Sequence, residues 1–155
     1  MSKELLKLPL YTFIAGVILR IADYITVSLL QRDSTEWTLE MGTTIFYVRL
    51  FLSIALFVGI GFLLRKRYSR ITFRESATLL IIYSILILAI ENIVAYFGVY
   101  NMIIYYLSIP FEMFDIITSI LVKVSGADRI NWLHMIPSLL APFLFLLFSK
   151  KPVDF

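Results

Sequence analysis

Four long apolar stretches divide this chain, and polar or charged residues separate them. They run from about Leu8 to Leu30, Gly42 to Leu64, Ala77 to Gly98 and Asn131 to Phe148. Each is close to the ~20 residues that cross the hydrocarbon core of a bilayer as a helix. The pattern therefore predicts an all-α polytopic membrane protein, an antiparallel bundle of four transmembrane helices that forms a single domain over residues 1–155.

The composition supports a membrane protein and excludes several kinds of site. The chain is 60% apolar and only 16% charged, with a mean hydropathy of +0.89, whereas a soluble domain is about half apolar and about a quarter charged. It contains no cysteine, which excludes disulfides, thiolate metal sites and cysteine nucleophiles. The single histidine, His134, cannot form a histidine-rich metal site alone. We predict no metal site and no cofactor.

Lysine and arginine predict how the helices are oriented. The loop after the second span is the most basic part of the chain, and alternating spans place the segments around Lys3 and Lys150 on the same side. Nine basic residues then lie on this side and three on the other. Basic loops stay in the cytoplasm, so both termini are predicted to be cytoplasmic in a cell membrane of prokaryotic type. The basic residues flank apolar spans, so the net charge of +3 does not indicate nucleic-acid binding.

Residues 101–126 are apolar but carry two acidic residues, Glu112 and Asp115. A helix over about 110–124 places these and Lys123 on one stripe, with Phe111 and Phe114 on the other side. Pro110 is tolerated in a first turn and Gly126 is a typical helix stop. We therefore predict an amphipathic helix on the outer surface of the bilayer. The alternative is a helix that dips partway into the membrane and caps the bundle.

Four ionisable residues fall inside the predicted spans: Arg20, Asp23, Arg49 and Glu91. A charge at the centre of a transmembrane helix costs roughly 2.5–3.5 kcal/mol on insertion scales and is a sign of pairing or function. Asp23, Arg49 and Glu91 each lie about two turns from the outer end of their helices, so they share a depth of roughly 10 Å. Arg20 lies one turn deeper.

Asn92 and His134 complete the candidate polar cluster, since Asn92 follows Glu91 and the fourth span brings His134 in near its outer end. The cluster has three open interpretations. It is a ligand-binding site open to the outside, a group of residues that handles protons, or a neutral network that holds the bundle together, with Arg20 pairing Asp23 and Arg49 reaching Glu91. Residues of opposite charge within a membrane pair in each case.

The sequence contains no nucleophile elbow, phosphate-binding loop, zinc-protease motif or dinucleotide fingerprint, and we predict no catalytic residue. The leading hypothesis is a non-enzymatic accessory or assembly subunit of a membrane system. The first alternative is a transporter of a small solute or ion, and the second is an enzyme that acts on a lipid-linked substrate at the outer face. The lipid bilayer is the expected partner, together with another membrane protein or a second copy of the chain.

Overall fold

The computed structural model describes residues 4–32, 36–98, 102–126 and 132–149, which are helical and contain no strand. The α-helices are α1 (Lys7–Leu30), α2 (Leu39–Arg65), α3 (Arg70–Tyr96), α4 (Met102–Leu107), α5 (Glu112–Ser125) and α6 (Trp132–Leu140). Two 3₁₀ helices, Ile109–Phe111 and Ala141–Phe148, follow α4 and α6. Lys3, Lys150, Lys151, Arg129 and Asn131, which entered the predictions above, lie outside the described residues.

Short polar signals set the helix ends. The side chain of Thr38 caps α2 by accepting from the backbone N–H of Met41, and Ser69 caps α3 by accepting from Thr72, which satisfies N–H groups that have no partner inside the helix. Gly126 ends α5 with a φ of 63°, a left-handed conformation that favours glycine. The predicted stop at Gly126 is confirmed.

Three helices, α1, α2 and α3, are long and apolar enough to cross a membrane, and they match the first three predicted spans closely. The fourth predicted span, 131–148, corresponds to α6 and the Ala141–Phe148 helix. This apolar segment is shorter, and Pro137 and Pro142 lie within it. The segment continues as a 3₁₀ helix whose first turn contains Pro142, a position where the missing N–H of proline leaves no hydrogen bond unmade. The four-helix membrane bundle is therefore not confirmed as a whole.

The start of α1, the α2–α3 turn and the end of the Ala141–Phe148 helix meet at one end of the bundle. The Tyr68 hydroxyl accepts from the Leu8 backbone N–H over 3.2 Å and donates to the carbonyl of Glu4. Burial raises the pKa of Tyr68, which keeps its hydroxyl protonated. Arg65, Lys66, Arg67 and Arg70 are exposed here, and we call this the basic end.

The chain folds back into the bundle after α3. The Tyr83 hydroxyl donates to the carbonyl of Leu107 over 2.8 Å, and Tyr83 lies 13 residues before the end of α3 at Tyr96. At 1.5 Å per residue, the chain has returned roughly 20 Å towards the basic end. A Cβ on Gly16, near the middle of α1, would overlap the Ile109 carbonyl. We call Met102–Ser125 the α4–α5 hairpin, with its turn at Ile109–Phe111.

This arrangement does not confirm the surface location expected for α5. Phe111 and Phe114 are only 6% and 3% exposed and belong to the hydrophobic core, together with Phe73 and Phe145. Glu112 is 8% exposed. The amphipathic pattern predicts a helix whose polar side faces water and whose apolar side faces lipid. In the structure, the polar side of α5 faces charged side chains of α1 and α2, and its apolar side faces the core.

Candidate functional site

A polar cleft of about 680 Å³ lies between α1, α2, α3 and the α4–α5 hairpin. On α1 its lining residues begin at Arg20 and continue to Val27, and on α3 they begin at Ser84 and continue to Glu91. The cleft therefore occupies the half of the bundle away from the basic end. Its charged lining residues are Arg20, Asp23, Arg49, Glu91, Glu112 and Asp115.

Glu112 joins two arginines that line the cleft. Its Oε1 accepts from the Nε of Arg20 over 2.8 Å and from Nη2 over 2.5 Å. Its Oε2 accepts from Nη2 of Arg49. Because the Glu112 side chain is 10% exposed, this carboxylate balances charges that would be costly to leave unpaired in a low-dielectric interior. The ion pairs fix the first turn of α5 against α1 and α2.

Arg20 is further held by α4. Its Nη2 donates to the carbonyl of Tyr105 over 2.6 Å and to the Ser108 hydroxyl over 3.1 Å. Its guanidinium carbon lies 3.6 Å from the centre of the Tyr105 ring, a cation–π contact that gains strength where water is excluded. Arg20 thus binds both arms of the hairpin and positions the turn between them.

Three other carboxylates line the same cleft, and the arginines balance their negative charges less completely. Asp23 Oδ2 lies 3.6 Å from Nη1 of Arg49. In the part of the chain that the structure describes, the carboxylates of Asp115 and Glu91 have no ion-pair or hydrogen-bond partner. Asp115 is repelled by Glu112 and Glu91 and attracted by Arg49 and Arg20, although both arginines bind Glu112. With two cations and four carboxylates, the cleft has a formal charge of −2 when all six groups are ionised.

The structure brings four of the six predicted polar residues, Arg20, Asp23, Arg49 and Glu91, to one cleft. The observed pairs differ from the expected ones, Arg20 with Asp23 and Arg49 with Glu91. Arg20 binds Glu112, and Arg49 binds both Glu112 and Asp23. Asn92 does not line the cleft, and its Nδ2 donates to the Leu88 carbonyl over 2.7 Å. His134 lies at the start of α6, where Nε2 is 3.1 Å from the hydroxyl of Ser125.

Sequence reasoning missed Glu112 and Asp115 as site residues. A usable signal was present, because no charged residue occurs between Glu91 and Glu112. Such a stretch is apolar enough to enter a bilayer, and Pro110 breaks it where a re-entrant chain must turn. Polar groups at that depth must be satisfied by protein partners, and the two arginines in α1 and α2 are suitable partners for an acid beside the break.

Comparison with known protein families, with characterised proteins and with solved structures gives no match. The fold and the cleft therefore define the class of this chain by themselves. It is a small helical protein with three helices able to span a membrane.

Proposed function

We propose that this protein is a small membrane transporter or solute-binding protein whose cleft takes up a small, positively charged solute from the outside. The observation that carries the proposal is the excess of carboxylates in the cleft, since Glu112 occupies both arginines and leaves Asp115 and Glu91 without an ion-pair partner among the described residues. Like charges that share one cleft repel one another, and a bound ammonium or guanidinium group relieves that repulsion.

The proposed membrane arrangement has four crossings. In addition to α1, α2 and α3, the fourth consists of α6 and the Ala141–Phe148 helix. Nine α-helical residues and eight 3₁₀ residues extend roughly 30 Å, because a 3₁₀ helix rises about 2.0 Å per residue. That length matches the hydrocarbon core of a bilayer. The basic end then faces the cytoplasm by the distribution of lysine and arginine, and the cleft opens outward.

The α4–α5 hairpin supports a solute-binding role over the accessory role. Irregular backbone at membrane depth is found where it is buried in protein or lines a cavity, and many transporters place their binding sites beside interrupted helices. Ser108, Phe111 and Glu112, at the interruption, all line the cleft. An accessory role would be favoured if α5 offered Phe111 and Phe114 to a partner, but both are buried in the core.

Binding to the purified protein in lipid nanodiscs tests this proposal. The probes are ethylammonium and putrescine as cations, acetate as an anion and ethanol as a neutral control, each followed by isothermal titration and by the shift in melting temperature. We expect saturable binding of the cations and none of acetate or ethanol. Asp115→Asn and Glu91→Gln should each weaken cation binding by roughly tenfold or more, the factor for one lost charge contact of about 1.4 kcal/mol.

Glu75→Gln is the matched control. Glu75 is an exposed acid on α3, the helix that carries Glu91, and it lies outside the cleft. Its substitution removes the same charge and should leave the affinity unchanged. Saturable binding of acetate with no binding of either cation would contradict the proposal, as would equal losses in Glu75→Gln and Glu91→Gln.

A further inference from the structure

A second cavity lies at the other half of the bundle and is almost entirely apolar. This groove, of about 760 Å³, runs between α1 and α3 near the basic end. Leu10 and Phe13 of α1 form one wall, Ile82 and Leu86 of α3 form the other, and Pro110 lies at its inner end. Leu10, Ile82 and Leu86 are exposed although large and apolar, so the chain itself does not fill the space between these walls.

The hairpin explains why the space between α1 and α3 is unfilled in this half. In the half away from the basic end, the gap between α1 and α3 holds α4, whose Tyr105 and Leu107 bind Arg20 and Tyr83. The hairpin turns at Ile109–Phe111 and does not continue to the basic end. From Pro110 to Lys7, α1 and α3 therefore face each other across an unfilled groove that lies along their apolar surfaces.

The chemistry of the groove matches a lipid chain. Its lining offers almost no polar surface, and the hydroxyl of its one tyrosine, Tyr83, is already bonded to the Leu107 carbonyl. Burying methylene groups in such a space is favourable in proportion to their number.

At the basic end, the rim of the groove carries a positively charged side chain, as the binding of a phosphate requires. Lys7 lines the groove and is partly exposed, and its Nζ contacts Oε1 of Glu4 at 2.5 Å in a pair at the surface. Lysine side chains near helix ends extend to the headgroup level of a membrane, and an exposed pair of this kind contributes little and exchanges readily. Every phospholipid presents a phosphate at that level.

We propose that the α1–α3 groove is a phospholipid site, in which one acyl chain lies between the two helices as far as Pro110 and the phosphate binds Lys7. The bound chain packs against the turn of the hairpin from the side opposite the polar cleft. This site is separate from the cation site and does not depend on it.

Photochemical labelling in nanodiscs tests this site on the unsubstituted protein. The probe is a phosphatidylcholine with a diazirine at the middle of one acyl chain, present at a low mole fraction among ordinary lipids, and adducts are located by mass spectrometry. We expect adducts to concentrate on Leu10, Phe13, Ile82 and Leu86. An even distribution over exposed apolar residues outside the groove, such as Phe51, Leu63 and Ile85, would overturn the proposal.

Two matched pairs of variants make the test specific. Ile82→Trp fills the groove, and Ile85→Trp makes the same change on the same helix outside it, at a residue of similar exposure (55% and 51%). We expect Ile82→Trp to reduce groove adducts roughly tenfold, because two or more methylene groups can no longer be buried, and Ile85→Trp to leave them unchanged. Lys7→Gln should reduce them relative to Lys66→Gln, an exposed lysine of the α2–α3 turn. Equal adduct yields within either pair would overturn the site as stated.

Discussion

The Nε of Arg20 donates to the Glu112 carboxylate over 2.8 Å, which joins residues 92 positions apart in the chain. This contact links α1 to the first turn of α5 in the interior of the bundle. Arg49 binds the other oxygen of the same carboxylate from α2. Glu112 therefore connects three helices through one acidic side chain.

The first prediction concerns the stability that Glu112 contributes. Glu112→Gln removes the charge that balances Arg20 and Arg49 and should lower the free energy of unfolding by about 3 kcal/mol, because uncompensated buried charges are strongly destabilising. Equilibrium unfolding in mixed micelles measures the change. Glu75→Gln, on the exposed surface of α3, should change the free energy by less than about 0.5 kcal/mol. Equal effects of the two substitutions would show that the arginines do not rely on Glu112.

The second prediction concerns the depth to which the hairpin enters the bundle. A Cβ at Gly16 would overlap the backbone carbonyl of Ile109, whereas a Cβ at Gly59 of α2 meets nothing within 4 Å. Gly16→Ala should therefore cost about 1–3 kcal/mol of folding stability, since the backbone of the turn must move. Gly59→Ala should be neutral or stabilise its helix by about 0.5–1 kcal/mol. The same unfolding assay compares them, and a neutral Gly16→Ala would place the Ile109–Phe111 turn elsewhere.

The third prediction concerns Tyr68 at the basic end. Burial raises its pKa, so the folded state keeps the phenol proton at pH values where the unfolded state, with a pKa of about 10, begins to lose it. The unfolded state then binds fewer protons, and stability should fall as the pH rises above about 10. Tyr68→Phe should lose about 1–2 kcal/mol at pH 8 because the N–H of Leu8 is left without its partner, and its stability should decline less at high pH. Identical pH profiles for the two proteins would contradict this assignment.

The sequence was sufficient to predict the three long helices, and Arg20, Asp23, Arg49 and Glu91, which it places within about one turn of a common depth, line one cleft. Long apolar runs with polar ends define such helices, and a rise of 1.5 Å per residue converts position into depth. The location of α5 was harder to predict. In a helix with Glu112 on one stripe and Phe114 on the other, the polar side chains can interact with water or with buried arginines. The hydrophobic period of the sequence is the same in both cases.

Asn92 illustrates a second limit. It follows Glu91 directly, but adjacent helical residues point about 100° apart, and its amide bonds to the Leu88 carbonyl of its own helix instead of entering the cleft. His134 has the expected height near the start of α6, yet its ring lies beside Ser125 at the end of α5. Depth along a helix is readable from the sequence, whereas the face that a side chain occupies depends on how neighbouring helices pack.

The central claim, a negatively charged cleft open to the outside, is tested most directly by thiol labelling, because the chain contains no cysteine. Ser119 lines the cleft and is exposed, and Ser28 of α1 is exposed outside it. Ser119→Cys and Ser28→Cys are each treated from outside sealed vesicles with membrane-impermeant thiol reagents that are matched in size and carry opposite charges.

We predict that the cationic reagent labels Ser119→Cys at least about tenfold faster than the anionic one, since a cleft of one sign concentrates the opposite charge, and that ethylammonium slows this labelling. Ser28→Cys should show no comparable preference and no protection. Faster labelling of Ser119→Cys by the anionic reagent, or labelling only from the inner side, would contradict the account.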